Sequence, residues 1–153
     1  MNHYSIYWIK EEFARHFFYR GDIVYRFIKD YQVNGHRGDL KSQFDYVTRE
    51  FSCSDIITHI RKNNTCSKLS MEVEGDFLKI WSKRRYISLH IEKKRINFRS
   101  EIILDAEETL FPTLRSFHPH LFVMGEDSTN YGWISPVGQE DEDEIRQALY
   151  SFL

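Results

Sequence analysis

Tyr86-Ile87-Ser88-Leu89-His90-Ile91-Glu92-Lys93-Lys94-Arg95-Ile96-Asn97-Phe98-Arg99-Ser100 is the stretch on which the fold class turns. Ile87, Leu89 and Ile91 alternate with Ser88 and His90, the period-two pattern of a half-exposed strand. A second run, Arg95 to Ile103, follows across Glu92-Lys93-Lys94, so the two read as a hairpin. One face of this hairpin is apolar, and the rest of the chain must supply its cover.

Working outward, Lys68 to Ile80 is a third β-like run, and Leu121 to Gly125 reads as another strand. Tyr131-Gly132-Trp133-Ile134-Ser135-Pro136-Val137 reads as an extended edge segment with Trp133 buried, closed by a proline that cannot donate to a ladder; a rim of an interface is the other reading. His3 to Ile9 is β-branched and aromatic with only partial alternation, which places it inside the sheet. Phe51 to Cys66 stays open, because Ile56-Ile57-Thr58-His59-Ile60 suits a short strand or a helical turn, and Asn63-Asn64-Thr65 suits a loop.

Helical spacing fills the intervals. Lys10-Glu11-Glu12 opens a helix through Phe18, with carboxylates where the helix dipole favours them, and Gly21 interrupts it. Asp22 can cap a second helix, in which Ile23, Val24, Phe27, Ile28 and Tyr31 recur. After the turn residues 34–38, Asp39 opens a third helix to about Glu50, with Leu40, Phe44 and Val47 on one face and Tyr46 off it. Asp105 can cap a helix that Pro112 kinks or divides. Asp141 to Leu153 has an acidic start and an apolar side of Ile145, Leu149 and Phe152. These elements predict an α+β fold: one domain, with a mixed or antiparallel β-sheet packed against helices mainly on one face. The domain is expected over residues 1–138, with 139–153 an acidic amphipathic helix that is part of it or appended to it.

At 153 residues, with 12 Phe and 9 Tyr, the chain can build a core without metal or disulfides. Cys53 and Cys66 form no CxxC pair and are expected as reduced thiols. The start lacks a basic and apolar leader, and no window holds the ~20 apolar residues of a membrane span, so a cytoplasmic location is expected. Net charge is −2, which gives no overall drive toward nucleic acid. The charge is segregated, however. Lys79 to Arg99 holds eight basic residues against Glu92, and Glu126 to Glu144 holds seven acidic residues and no Lys or Arg.

The sequence contains no HExxH, GxSxG, Walker A or dinucleotide fingerprint. Adjacent pairs such as Glu11-Glu12 and Glu107-Glu108 point about 100° apart on a helix and cannot share a proton. His118-Pro119-His120 is the tightest histidine pair, and its proline predicts extended backbone that turns the imidazoles apart; a small enzyme using His118, His120 and the acidic tail is one alternative function. A nucleic-acid module on the basic hairpin Lys79 to Arg99, with Trp81, Tyr86 and Phe98 among the charges, is another. The segment Ile9 to Arg20 has more large apolar residues than one buried helix face needs. Phe13 and Phe17 are i, i+4 neighbours, and they either meet the second helix or present two rings to a partner.

Four stretches also resemble a known family. Tyr7-Trp8-Ile9-Lys10-Glu11-Glu12-Phe13-Ala14-Arg15-His16-Phe17-Phe18 is similar to the opening of the sporulation inhibitor of replication (SirA) family, and Gln43-Phe44-Asp45-Tyr46-Val47-Thr48 to its next helix. Leu121-Phe122-Val123-Met124 and Asn130-Tyr131-Gly132-Trp133-Ile134-Ser135-Pro136-Val137 resemble its close. The similarity runs from about residue 3 to residue 137, is thinnest between Phe51 and Arg85, and leaves the terminal helix without a counterpart. It implies a single α/β domain without enzymatic activity or cofactor. Such a domain binds the N-terminal domain of the replication initiator DnaA and lowers initiation during sporulation, with no direct nucleic acid, membrane or small-molecule substrate. Carried over residue by residue, the resemblance implies partner contacts at Phe13, Phe17, Gln43 and Tyr46, with His16, Arg15 and Arg20 at a polar rim. Phe17 stands where the family carries a tyrosine, so the ring contact is kept and any hydroxyl hydrogen bond is lost.

Overall fold

The computed structural model describes residues 2–63 and 69–135. The element order is β1 (Asn2–Ile9), α1 (Glu11–His16), α2 (Gly21–Asn34), α3 (Gly38–Val47), β2 (Thr48–Arg49), α4 (Cys53–Asn63), β3 (Ser70–Glu74), β4 (Phe77–Trp81), β5 (Tyr86–Ile91), β6 (Ile96–Ser100), α5 (Ile103–Thr109), α6 (Phe111–Phe117), β7 (Leu121–Gly125) and β8 (Tyr131–Trp133). The strands form one antiparallel sheet in the order β3-β4-β5-β6-β1-β7-β8, with β2 paired to the end of β1. The fold is therefore α+β in a single domain.

β1 lies inside the sheet because both of its faces are apolar. Tyr4 and Ile6 are buried in one cluster with the apolar faces of β4, β5 and β6 and with Ile56, Ile57 and Ile60 of α4, Ala106 of α5 and Leu114 of α6. Tyr7 and Ile9 belong to a second cluster with Ala14 of α1, Val24 and Ile28 of α2, Phe44 of α3, and Phe122 and Met124 of β7. The helices thus divide between the two faces, where the sequence placed them mainly on one. Among the described residues, one-sided cover holds only for the β3–β6 half. Its outward face carries polar side chains with few bulky apolar ones, whereas β1 and β7 are apolar on both sides and need helices on both.

Several boundaries differ from the sequence reading for local reasons. Within the run Lys68 to Ile80, Ser70 to Ile80 is a hairpin rather than one strand, because Gly75 takes φ 62°, a turn conformation that glycine adopts without steric cost. Ile56-Ile57-Thr58-His59-Ile60 is helical: Ile56, Ile57 and Ile60 share one buried stripe despite their β-branching. The third helix ends at Val47 instead of Glu50, since the Thr48 hydroxyl bonds the Phe44 carbonyl at 2.7 Å while Thr48 and Arg49 pair with β1. Asp22 and Asp105 sit in first turns, and the cap positions are Arg20 and Ile102. Pro112 divides its helix, lying in the first turn of α6, where its missing N–H costs nothing. The helix expected over Asp141–Leu153, together with Cys66, Pro136 and Val137, lies outside the described residues.

Candidate partner-binding surface on helices one and three

The backbone N–H of Lys10, the residue that opens α1, donates to the carbonyl of Val47, the last residue of α3, at 2.8 Å. β1 delivers Lys10 to that point through the pairs Ile9↔Thr48 and Trp8↔Arg49. The start of α1 is thereby fixed against the end of α3, and the Phe13 ring meets the Tyr46 ring edge-on, 5.7 Å between centroids at 77°. The Lys10 ammonium lies 4.4 Å from the centre of the Tyr46 ring, a cation–π contact of about 0.5–1 kcal/mol at a surface.

Phe13 is half-buried: its inner side packs on the second core cluster and the rest is open. Phe17 follows one turn later, its N–H donating to the Phe13 carbonyl at 2.9 Å, and it too is half-buried on that cluster. His16 stands edge-on to Phe17 at 4.6 Å. Gln43 is exposed one turn before Tyr46, which is 61% exposed. The two readings of the Phe13 and Phe17 face therefore coexist, because each ring anchors α1 and also contributes to the surface.

Charges ring this patch. Glu11 and Arg15 pair at 2.5 Å across one turn, and that hydrogen bond holds the Glu11 carboxyl below its ordinary range. Arg20 forks onto Asp22, Nε and Nη2 each donating at 3.1 Å, which raises the guanidinium and lowers the carboxyl. A partner carboxylate that sought Arg20 would have to displace Asp22. Sequence reasoning missed two supports. One is Lys10, adjacent in sequence to the helix it serves. The other is Lys94, whose ammonium donates to the Asp45 and Thr48 carbonyls at 3.2 and 3.1 Å and so caps α3 from the β5–β6 turn. Nothing local to Lys94 signals that role.

At the other edge of α1, the Phe18 ring lies beyond the helix end and stacks on Trp133 at 5.7 Å and 18°. The Trp133 indole N–H donates to the Phe18 carbonyl at 2.9 Å. Trp133 is half-buried in an edge strand, so the closing segment ties α1 to the sheet.

The two alternative sites are also located. His118 and His120 face each other, 5.0 Å between ring centroids, in place of diverging. The backbone is extended, as the proline predicts, but positions i and i+2 of an extended chain lie on the same side. Their Nδ1 and N–H groups interact within the pair: the His120 N–H donates to His118 Nδ1 at 3.1 Å. Burial pushes the His118 pKa down to about 4, with His120 and Arg49 adding to the effect. Among the described residues no three His, Cys, Asp or Glu side chains group to hold a metal ion. A cavity of about 780 Å³ between α2, α3 and the β5–β6 turn is lined by Tyr7, Tyr31, Gln32, Phe44 and Arg95, among others, and by neither histidine. In the basic hairpin, Arg85 pairs with Asp105 and Glu108, and Arg95 with Glu92. None of the described helices is long and apolar enough to cross a membrane.

Comparison with known proteins adds to this geometry. Residues 2–138 match the family model described as sporulation inhibitor of replication protein SirA. The chain is 22% identical, over 143 residues, to sporulation inhibitor of replication protein SirA of Bacillus subtilis (strain 168), a match covering 91% of this chain and 97% of that protein. With the family model spanning nearly the whole chain, this protein belongs to the SirA family of sporulation inhibitors of replication.

Proposed function

We propose that this protein is a non-enzymatic, cytoplasmic inhibitor of replication initiation in sporulation that binds the N-terminal domain of DnaA through Phe13, Phe17, Gln43 and Tyr46. The family supports inhibition of replication. The observation that carries the site is the Phe13–Tyr46 contact, which joins two helices into one aromatic surface that is only partly buried. Aromatic anchors surrounded by polar groups are the usual energetic centre of a protein interface. His16, Arg15 and Arg20 form the polar rim in this reading. Inhibition follows by occlusion: a filled surface on the initiator domain is closed to its other protein contacts, without chemistry, cofactor or DNA.

The test is calorimetric titration of the full chain with the isolated N-terminal domain of DnaA, alongside the Phe13→Ala/Tyr46→Ala variant. One-to-one binding, weakened at least tenfold in a variant that keeps the parent circular dichroism spectrum, supports both partner and surface. Equal affinity in the variant overturns the surface, and absence of binding by the parent overturns the partner.

A further inference from the structure

Among the described residues no helix covers the outward face of the β3–β6 half of the sheet, and its side chains fall into rows set by the strand register. Glu74, Phe77, His90, Asn97 and Ser5 form one row, Glu72, Lys79, Ser88, Arg99 and His3 the next, and Ser70, Trp81 and Tyr86 a third. An aromatic row is thus followed by a cationic row and then by a second aromatic row, each step two residues or ~6.7 Å along the strands.

The rings are presented outward. Phe77 is 56% and Tyr86 38% exposed, and Phe77 lies flat on His90 at 4.3 Å and 7°. A concavity of about 450 Å³ runs over Phe77, Lys79, Tyr86, His90 and Arg99. A second concavity beside it, of about 510 Å³, shares Lys79 and Tyr86 and adds Lys83 and Arg84. Arg85 and Arg95 are engaged by carboxylates, whereas Lys79, Lys83, Arg84 and Arg99 make no ion pair among the described residues. Glu72, Glu101 and Glu126 share the linings, so any polyanion held there is bound modestly and salt-sensitively.

We infer that this open face is a platform for single-stranded nucleic acid. Bases two nucleotides apart stack on Phe77 and Tyr86 while Lys79 and Arg99, in the row between them, meet the intervening phosphates. An open antiparallel sheet with outward aromatics serves single strands in this way because every base has a π-face and unstacked bases are available to it. A duplex, whose bases are already stacked, gains only the charge contacts. The platform lies on strands β4–β6, apart from the Phe13–Tyr46 surface on α1 and α3, so the two can be tested separately.

The experiment is fluorescence anisotropy of a labelled, mixed-sequence single-stranded DNA titrated with the full chain in low-salt buffer. The variants are Phe77→Ala/Tyr86→Ala, Lys79→Gln/Arg99→Gln and Phe13→Ala/Tyr46→Ala. All six side chains are exposed or half-exposed, and a circular dichroism melt of each variant identifies any that misfolds. The expected result is saturable binding, preferring single strand to duplex. Loss of the two rings weakens it about tenfold or more, and loss of the two cations lowers the salt slope by about 1.4. The Phe13→Ala/Tyr46→Ala variant binds as the parent does. Absence of binding at low salt overturns the inference. So does binding indifferent to Phe77 and Tyr86 and displaced equally well by polyglutamate, which would mark the face as a cationic patch for acidic protein segments.

Discussion

The Lys10 N–H and the Val47 carbonyl are joined at 2.8 Å, so the N-cap residue of one helix and the last residue of another, distant in sequence, meet at a single backbone hydrogen bond. That joint holds Phe13 against Tyr46. Strand pairing supplies it: the two-residue strand β2 exists only as the partner of Trp8 and Ile9, and a slip of one residue there would turn Tyr46 away from Phe13.

A double-mutant cycle measures the ring pair. Phe13→Ala is expected to destabilise the protein by about 2 kcal/mol, less than the 3–5 of a fully buried phenylalanine, because only one side of the ring is packed. Tyr46→Ala removes a ring that is 61% exposed and is expected to cost about 0.5 kcal/mol. Coupling between them, from urea titration, is expected at about 0.5 kcal/mol, the low end for aromatic pairs. Strict additivity would show that the contact does not steady the surface.

Lys94→Met keeps the aliphatic stem and removes the two bonds to the end of α3. The expected cost is about 1 kcal/mol, for charge-assisted bonds that are partly solvated. Amide exchange should rise at residues 45–48 and stay unchanged in α4. Uniform acceleration across the protein would mean that Lys94 contributes to global stability without fixing α3 locally.

What could be read from sequence divides by distance along the chain. The β5–β6 hairpin was legible because alternation from Ile87 to Ile91 is local, and the internal position of β1 because Tyr4 to Ile9 is apolar toward both sides. The i, i+4 placement of Phe13 and Phe17 was legible for the same reason. The Phe13–Tyr46 contact was not, since it depends on which strand residues 48 and 49 join. Helix cover on both faces was equally hidden: the pattern of a strand gives the number of its buried faces, not the helices that bury them. The Gly75 turn inside the run Lys68 to Ile80 was missed, and Phe51 to Cys66 stayed open because a short β-branched run suits strand or helix until packing on the sheet decides between them.

His118 gives the protein a pH dependence whose sign is fixed by burial. The ring is held neutral, with its pKa lowered to about 4 from an ordinary 6.5, and its Nδ1 accepts the His120 N–H. Between those values the unfolded chain binds more protons than the folded one, so stability from this group is full above about pH 6.5 and is lost as pH falls toward 4. The slope is at most about 1.4 kcal/mol per pH unit and is reduced by solvent access to the half-buried ring. Urea titrations at pH 7 and pH 4.5 should show a larger loss for the parent than for His118→Gln. Equal losses would place the acid sensitivity in other groups.

Trp133 decides whether the edge strand belongs to the binding surface or to its support. Its indole N–H is committed to the Phe18 carbonyl, and its ring lies between Phe18 and Phe122, stacked on the first and edge-on to the second at 5.0 Å. Trp133→Phe keeps an aromatic ring and deletes the donor, which leaves the Phe18 carbonyl short of a partner and narrows the packing. Together these are expected to cost about 1–2 kcal/mol. A supporting role predicts that this loss appears in the urea midpoint while affinity for the initiator domain changes less than about twofold at temperatures where the variant is fully folded, because Trp133 fastens the loop after α1 and not Phe13 itself. If affinity instead falls tenfold with the midpoint unchanged, Trp133 contacts the partner, and the surface extends from α3 across α1 to the sheet edge.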